Sequence, residues 1–153
     1  MSELLAYLAG VLDSDGFITI RRHTPNKDFP ESVTFSECVG VGQTSREAVD
    51  LFHQLWGGSL KTRKRAGKTW RPMFYWVISN KKAEQCVRTL HPWLRVKARQ
   101  ADSLLALRLS KSRPQKETRT VPRGVRSRAL DPAVVATRET HFQVVRGLNA
   151  LRS

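Results

Sequence analysis

The apolar residues near the N-terminus recur with the spacing of an amphipathic helix, at Leu4, Leu5, Leu8, Val11 and Leu12. Ser2 can cap this helix, and the pattern stops at Gly16. The period then changes to that of a strand, in two alternating runs at 17–23 and 33–41. Because the turn-forming residues Thr-Pro-Asn follow the first run, we expect a β-hairpin here.

A similar order of patterns follows. A second helix is predicted within 44–58, where Thr44 or Ser45 can cap its start and two glycines end it. Two more strands are predicted at 59–65 and 70–79, joined by a turn centred on Ala-Gly-Lys. The chain therefore contains two predicted hairpins, each preceded by a helix.

The rest of the chain is predicted to be mainly helical. Helices are expected at 81–90 and 97–109, on either side of a break at His91-Pro92. Residues 111–128 carry seven Lys or Arg against one acid, which is typical of an exposed basic connector. The tail at 131–151 predicts one or two short helices, with Asp131 as the cap and Pro132 at the first helical position.

This order of elements indicates an α+β fold with an antiparallel sheet. A chain of 153 residues is close to the usual size of one domain. We therefore expect a core at 1–110, the basic connector at 111–128, and a C-terminal helical segment of the same domain at 129–153.

The charge of the chain narrows the choice of partner. Lys and Arg total 27 against 13 Asp and Glu, a net charge of +14. Such an excess favours a polyanionic partner, namely DNA, RNA or an anionic membrane surface. No apolar run approaches the roughly 20 residues of a membrane-spanning helix, and no secretory pattern is evident, so we expect an intracellular protein with no membrane partner. The two Cys and four His lack the spacing of zinc ligands.

The nine residues from Leu8 to Gly16, LAGVLDSDG, are the most informative part of the sequence. One stripe of the predicted helix carries mostly small side chains: Ala6, Ala9, Gly10 and Asp13. Small side chains let helices approach closely, so we expect this stripe to form a dimer interface with a second copy of the helix. Asp13 and Asp15 lie at the helix C-terminus, where an acid opposes the helix dipole unless a cation such as a metal ion compensates. The alternative is that Asp-Gly simply makes a turn.

The string LAGVLDSDG resembles the signature of the LAGLIDADG homing endonucleases, with Val11, Leu12 and Ser14 as ordinary variations. The resemblance extends over residues 4–109. It implies that family's αββαββα core, in which an antiparallel sheet forms a DNA-binding saddle, here followed by C-terminal helices. In that family, a chain with one copy of the signature forms a homodimer.

The resemblance also implies roles for particular residues. Asp15, the last acid of the signature, would be catalytic and would bind Mg²⁺, with Mn²⁺ as a substitute, and the backbone carbonyl of Ser14 would help to hold the metal. Hard oxygen ligands of this kind fit Mg²⁺ better than zinc. Gln43, in GVGQTS at the end of the second strand, would order water near the scissile phosphate. Lys97, in HPWLRVKARQA, would act on the nucleophile or on the phosphate charge.

Two positions depart from the family pattern. Related proteins can carry an Arg four residues after the Gln, where this chain has Glu47 preceded by Arg46. Which residue assists the phosphate there is left open. Ser14 replaces the usual Gly, but a role for its backbone carbonyl survives the substitution.

Alternation along the strands predicts which side chains face DNA. The inward set is Ile18, Ile20, Val33, Phe35, Val39, Val41 and Leu60. The outward set is Thr19, Arg21, His23, Thr34, Ser36, Lys61, Arg63 and Arg65. A single outward Lys or Arg usually serves only solvation, but here basic residues stand among Thr, Ser and His, which can read base edges. Arg21 and Arg63 are the best candidates for guanine contacts.

The last strand is ambiguous because four large residues run together. We favour Trp76 and Ile78 inward, and Arg71, Met73 and Tyr75 outward, with Arg71 and Tyr75 in contact with DNA. Arg99, two residues after Lys97, and Arg113, in the basic connector, are further candidates for DNA contact.

The expected function is metal-dependent hydrolysis of phosphodiester bonds in double-stranded DNA. The resemblance implies cleavage of a long, near-palindromic site across the minor groove to leave 3′ overhangs, which promotes mobility of an intron or intein-like host element. The alternative is a cleavage-inactive RNA maturase, acting on its own intron, or a DNA-binding regulator. A basic structural protein of RNA would explain the charge but not LAGVLDSDG. An organelle (chloroplast or mitochondrion) and the bacterial cytoplasm remain equally open as locations.

Overall fold

The computed structural model describes residues 2–24, 33–63, 71–112 and 131–151. Its helices are α1 (Ser2–Asp15), α2 (Arg46–Trp56), α3 (Asn80–Leu90), α4 (Ala98–Ser112) and α5 (Pro132–Ala150), with a short 3₁₀ turn at His91–Trp93. Its strands are β1 (Gly16–His23), β2 (Thr34–Gln43), β3 (Ser59–Arg63) and β4 (Met73–Ser79). The predicted α+β class and the order of elements are confirmed.

The four strands form one antiparallel sheet in the order β1-β2-β4-β3. One face is covered by helices, and its strand residues join the main core, as Ile18, Val39, Val41, Trp76 and Ile78 do. The inward assignment of Trp76 and Ile78 in the ambiguous last strand is confirmed by their burial. The indole of Trp76 donates to the carbonyl of Gly57 at 2.6 Å, which ties β4 to the end of α2.

The C-terminal tail forms one helix, α5, rather than two short ones. Asp131 caps it as predicted, because its side chain accepts a hydrogen bond from the N–H of Ala133 at 2.8 Å. α5 packs on β1 and α4 around a second, smaller core cluster made by Ile20, Phe35, Leu107 and Val145. The tail therefore belongs to the same compact unit as the sheet.

The start of the predicted basic connector is helical. α4 continues to Ser112, because Lys111 finds partners inside the fold instead of pointing into solvent. The remainder of the connector lies outside the described residues, as do the tips of both hairpins. Within the described parts of the chain, no helix has the length and apolarity needed to cross a bilayer.

A buried charge cluster joins β2, α4 and α5. Glu37 is fully buried on the inward face, and its Oε2 accepts a hydrogen bond from Lys111 Nζ at 2.9 Å. Lys111 also donates to the carbonyl of Phe35, and Arg138 of α5 interacts electrostatically with Glu37. Burial lowers the pKa of Lys111, and its hydrogen bond to Glu37 opposes that shift. The cluster therefore couples the docking of α5 to one carboxylate beneath the sheet.

Replacement of Lys111 by Met should lower the free energy of unfolding by roughly 3–5 kcal/mol, because it leaves the charge of Glu37 buried without its partner. Urea denaturation followed by circular dichroism measures this, with the exposed Lys61→Met as the matched control. The double variant Glu37→Leu/Lys111→Met should regain most of the loss. A Lys111→Met protein as stable as the control would show that the pair contributes nothing.

Candidate functional site

Asp15 and Gln43 meet at one end of the sheet. α1 ends at Asp15, and β1 begins at the next residue, Gly16. Because β1 pairs antiparallel with β2, with Gly16 opposite Val41, the end of β2 reaches the same place. Gln43 Nε2 donates to Asp15 Oδ2 at 2.6 Å, and Ser14 Oγ donates to the same oxygen at 3.2 Å. The structure thus brings together two of the three residues predicted to be catalytic.

Gly16 is required at this junction by close approach. A Cβ there would lie 2.8 Å from the carbonyl oxygen of Leu12 and 3.0 Å from that of Gly40. Both are backbone atoms, so neither can move without a shift of the main chain. The helix-to-strand transition therefore places Asp15 in one position relative to the sheet.

Lys97, the third predicted residue, lies between the 3₁₀ turn and α4. Its ammonium group donates a hydrogen bond to the backbone carbonyl of Asp13, and the residue is only 6% exposed. An open cavity of about 510 Å³ lies beside it, with Lys97, Asp13, Ser14 and Asn149 among its lining. Asn149, on α5, donates to the carbonyl of Ile18 at 3.2 Å. No pattern in the sequence pointed to Asn149, which lies in a tail without a motif.

Asp13 is directed into its own chain. Its Oδ2 accepts hydrogen bonds from the N–H groups of Arg95 at 2.7 Å and Val96 at 3.1 Å, and its Oδ1 accepts one from Lys97 at 2.8 Å. Intrachain backbone donors therefore occupy the Asp13 carboxylate, and its place in a dimer interface stays a prediction. Since 82 positions separate Asp13 from Arg95, spacing along the sequence carried no sign of this contact.

The small stripe on α1 is only partly available to a second copy. Ala9 is completely buried in the core of its own chain, so its placement in a dimer interface is wrong. The reason is that α1 packs against several elements of its own chain, namely β1, β2, α2 and α3. Ala6 and Gly10 are exposed, and a Cβ on Gly10 would meet nothing within 4 Å. Tyr7, 52% exposed, adjoins them.

The oxygen atoms at this site form a partial donor set for a hard divalent cation. Among the described residues, no three His, Cys, Asp or Glu side chains gather into a metal cage. Asp15 is exposed, whereas Asp13 is committed to backbone donors. Mg²⁺ is commonly held by one or two carboxylates, with water and substrate phosphates completing its shell. The exposed carboxylate of Asp15 fits that pattern.

The sheet face opposite the helices carries the predicted polar set. The register places Arg21 opposite Ser36, His23 opposite Thr34, and Lys61 opposite Tyr75, so these side chains share one face. Thr19 and Arg63 belong to the same face by alternation. None of the outward positions in the four described strands is acidic. The face is therefore a positively charged surface that begins next to Asp15.

Several candidates lie beside this surface or beyond the described residues. Arg71, just before β4, and Arg99, on α4, are exposed, whereas Arg65 and Arg113 lie outside the described residues. Arg46 forms an ion pair with Asp50 at 3.2 Å and stands 6.0 Å from the centre of the Phe74 ring. Glu47 is exposed on the same helix.

Several solved structures have an architecture similar to that of this chain. No protein-family model and no curated protein sequence matches the chain. The solved structure of the homing endonuclease I-CvuI, in complex with a DNA target in the presence of Mg, matches 96% of this chain and 82% of its own at 20% identity, with a TM-score of 0.69. The intron-encoded homing endonuclease I-CeuI, complexed with DNA, matches 71% of this chain and 55% of its own at 14% identity, with a TM-score of 0.55.

The archaeal intron-encoded homing endonuclease I-Vdi141I, also complexed with DNA, matches nearly the full length of both chains, 97% and 98%, at 12% identity and a TM-score of 0.54. A further solved structure with this architecture is described as a LAGLIDADG homing endonuclease, I-GzeII, in complex with its DNA target. With its four-stranded antiparallel sheet, its covering helices and these neighbours, the chain has the fold of the LAGLIDADG homing endonucleases.

Proposed function

We propose that this protein is a homodimeric, site-specific DNA endonuclease of the LAGLIDADG family. The observation that carries the proposal is the contact of Gln43 with Asp15 at 2.6 Å, at the end of a basic sheet face. Asp15 and Gln43 are 28 positions apart and were predicted from two separate segments of the sequence. They meet at the end of the face along which the DNA backbone would lie. The neighbours with this fold include endonucleases complexed with DNA.

The outward face supports a double-stranded DNA partner. Its basic residues Arg21, Lys61 and Arg63 stand among hydroxyl groups and His23, which provide donors and acceptors for base edges. Side chains on alternate residues of a strand are separated by roughly 6.8 Å, or about two base-pair steps. A strand of this length therefore samples several base pairs of one half-site in a major groove.

The exposed part of α1 supports a dimer. Two copies meeting through Ala6, Tyr7 and Gly10 would bring two Asp15 residues close to one two-fold axis, one for each DNA strand. Two-fold symmetry in the protein requires a target that is nearly palindromic. Cleavage at the axis, across the minor groove between the half-sites, would leave 3′ overhangs.

The residues of the site divide the chemistry among them. Mg²⁺, or Mn²⁺ in its place, would be held by the carboxylate of Asp15 and the carbonyl of Ser14, and it would supply charge neutralisation and an acidified water. Gln43 orients the Asp15 carboxylate through its amide and can order water beside it. The ammonium group of Lys97 is held at the carbonyl of Asp13, two residues before Asp15. From there it would offset negative charge that develops on the phosphate.

Cleavage selection on a randomised DNA library tests the proposal. The reaction is run with Mg²⁺ and, in parallel, with Ca²⁺ or a chelator. A single long, near-palindromic site cut on both strands only with Mg²⁺ is the expected result. Sequence-specific retention without cutting in Mg²⁺ or Mn²⁺ would contradict the endonuclease proposal and favour a DNA-binding regulator. Binding of the chain's own intron RNA without cutting of DNA would favour a maturase.

Replacement of Asp15 by Asn should abolish cleavage in Mg²⁺ and leave DNA affinity in Ca²⁺ intact, because the amide keeps the shape of the side chain but loses the charge that holds a cation. Cleavage assays and filter binding on the selected site measure the two quantities. Asp102→Asn, at an exposed carboxylate paired with His91, is the matched control and should cut normally. Native cleavage by Asp15→Asn would remove Asp15 from the mechanism.

Replacement of Gly10 by Leu should produce a folded monomer that no longer cuts both strands. A Cβ at this position meets nothing within 4 Å in its own chain, whereas a Leu side chain would block close approach of a second α1. Analytical ultracentrifugation measures the oligomeric state. Gly147→Leu, at an equally open helical position on α5, is the control and should remain a dimer. A dimeric Gly10→Leu protein would show that α1 does not form the interface.

Replacement of Arg21 by Ala should relax specificity at one base pair of each half-site, at a cost of roughly 1–3 kcal/mol for the preferred base. Profiling the cleavage of single-base variants of the target measures this. Arg88→Ala, on α3 away from the sheet face, should leave the profile unchanged. An equal loss of affinity for every single-base variant of the target would instead show that Arg21 contacts a phosphate.

A further inference from the structure

We propose that Asp13 is a positioning residue for Lys97, and that it fixes both the backbone and the ammonium group of that lysine against the last turn of α1, which ends at Asp15. This inference rests on the proposed endonuclease function. It differs from the role that the sequence suggested, because backbone N–H groups of the same chain hold the carboxylate of Asp13.

Asp13 holds the backbone that leads into α4. The carboxylate of Asp13 accepts N–H bonds from three consecutive residues, Arg95, Val96 and Lys97, at 2.7, 3.1 and 2.8 Å. Lys97 immediately precedes α4, and its carbonyl accepts the N–H of Ala101 at 3.0 Å. Asp13 therefore satisfies N–H groups at the entrance of α4 that have no helical partner, and its negative charge complements the positive end of that helix.

Asp13 also holds the side chain of Lys97. Its ammonium group donates to the carbonyl of Asp13, one of the carbonyls in the last turn of α1 that lack a helical partner. A cation at the C-terminus of a helix is favourable. The same residue, Asp13, thus binds Lys97 at two points, and the lysine is only 6% exposed as a result.

This arrangement affects the rate of cleavage more than the binding of DNA. A lysine side chain loses rotamer freedom when it is fixed, so the position of its ammonium group depends on the contacts that hold it. If the carboxylate is removed, the segment 95–97 loses its anchor and the charge of Lys97 moves relative to Asp15. The DNA-contacting residues of the sheet face are untouched, because they lie on β1 to β4.

The first test compares Asp13→Asn with the matched control Asp102→Asn. Asparagine keeps the volume of the side chain but replaces one acceptor oxygen by a donor, which opposes the N–H groups of 95–97. We expect the cleavage rate at saturating DNA to fall roughly a hundredfold, with unchanged affinity for the target in Ca²⁺. In a Lys97→Met background, Asp13→Asn should cause little further loss, because the group that it positions is already absent.

A second measurement does not depend on cleavage. Acylation of lysines followed by mass spectrometry should label Lys97 much more slowly than the exposed Lys61 in the folded wild-type protein. In Asp13→Asn, the labelling of Lys97 should rise several-fold while that of Lys61 and Lys81 stays constant. Faster labelling of all three lysines would indicate that the Asp13→Asn protein is unfolded. The test would then be the ratio of the labelling rate of Lys97 to that of Lys61 in the wild-type protein.

The two tests distinguish failure of the positioning role from failure of the endonuclease function. Fast labelling of Lys97 in the wild-type protein, or no change in Asp13→Asn, would overturn the proposal whatever the activity. Additive losses in the double variant, or a loss of DNA affinity equal to the loss of rate, would show a merely structural role and overturn it as well. A wild-type protein that labels as expected but cuts no DNA in the library selection would refute the endonuclease function itself, and with it any catalytic meaning of the contact.

Discussion

The direct passage from α1 into β1 is the constraint on which the site depends. No loop separates the last acid of LAGVLDSDG from the first residue of the strand, and only glycine fits at that first residue. The helix axis and the sheet are consequently held in a fixed relation at this point. β2 runs antiparallel to β1 and ends beside its start. Strand pairing alone therefore brings Gln43 to Asp15.

The strand faces were predictable because their period of two is insensitive to where the strands begin or end. Trp76 and Ile78 could be assigned inward even though β4 is shorter than the pattern suggested. Glu37 shares the alternation of Phe35 and Val39 and is buried with them, so its position was available from the pattern. Burial was not predicted because Glu37 is charged, and a buried acid requires a partner. That partner, Lys111, is 74 residues away, in a segment whose composition indicated exposure to solvent.

The site was predictable to the extent that it resides in short motifs. Asp15 and Gln43 come together through the pairing of two neighbouring strands, which local patterns describe well. The position of Ala9 was wrong because a single helical stripe does not show how many neighbours cover it. α1 packs against β1, β2, α2 and α3, all of which come later in the chain, and only tertiary packing determines which small residues remain exposed.

A hydrogen bond on the outward face has a consequence for the evolution of target preference. His23 Nε2 and Ser36 Oγ lie 2.7 Å apart, on different strands. Whichever of them donates, the orientation of one ring and one hydroxyl is shared between two positions that would read neighbouring bases. Under the proposed function, adaptation to a new base at one of these positions would change recognition at the other, so the two residues would have to change together. Libraries that randomise one position at a time would then miss the productive combinations.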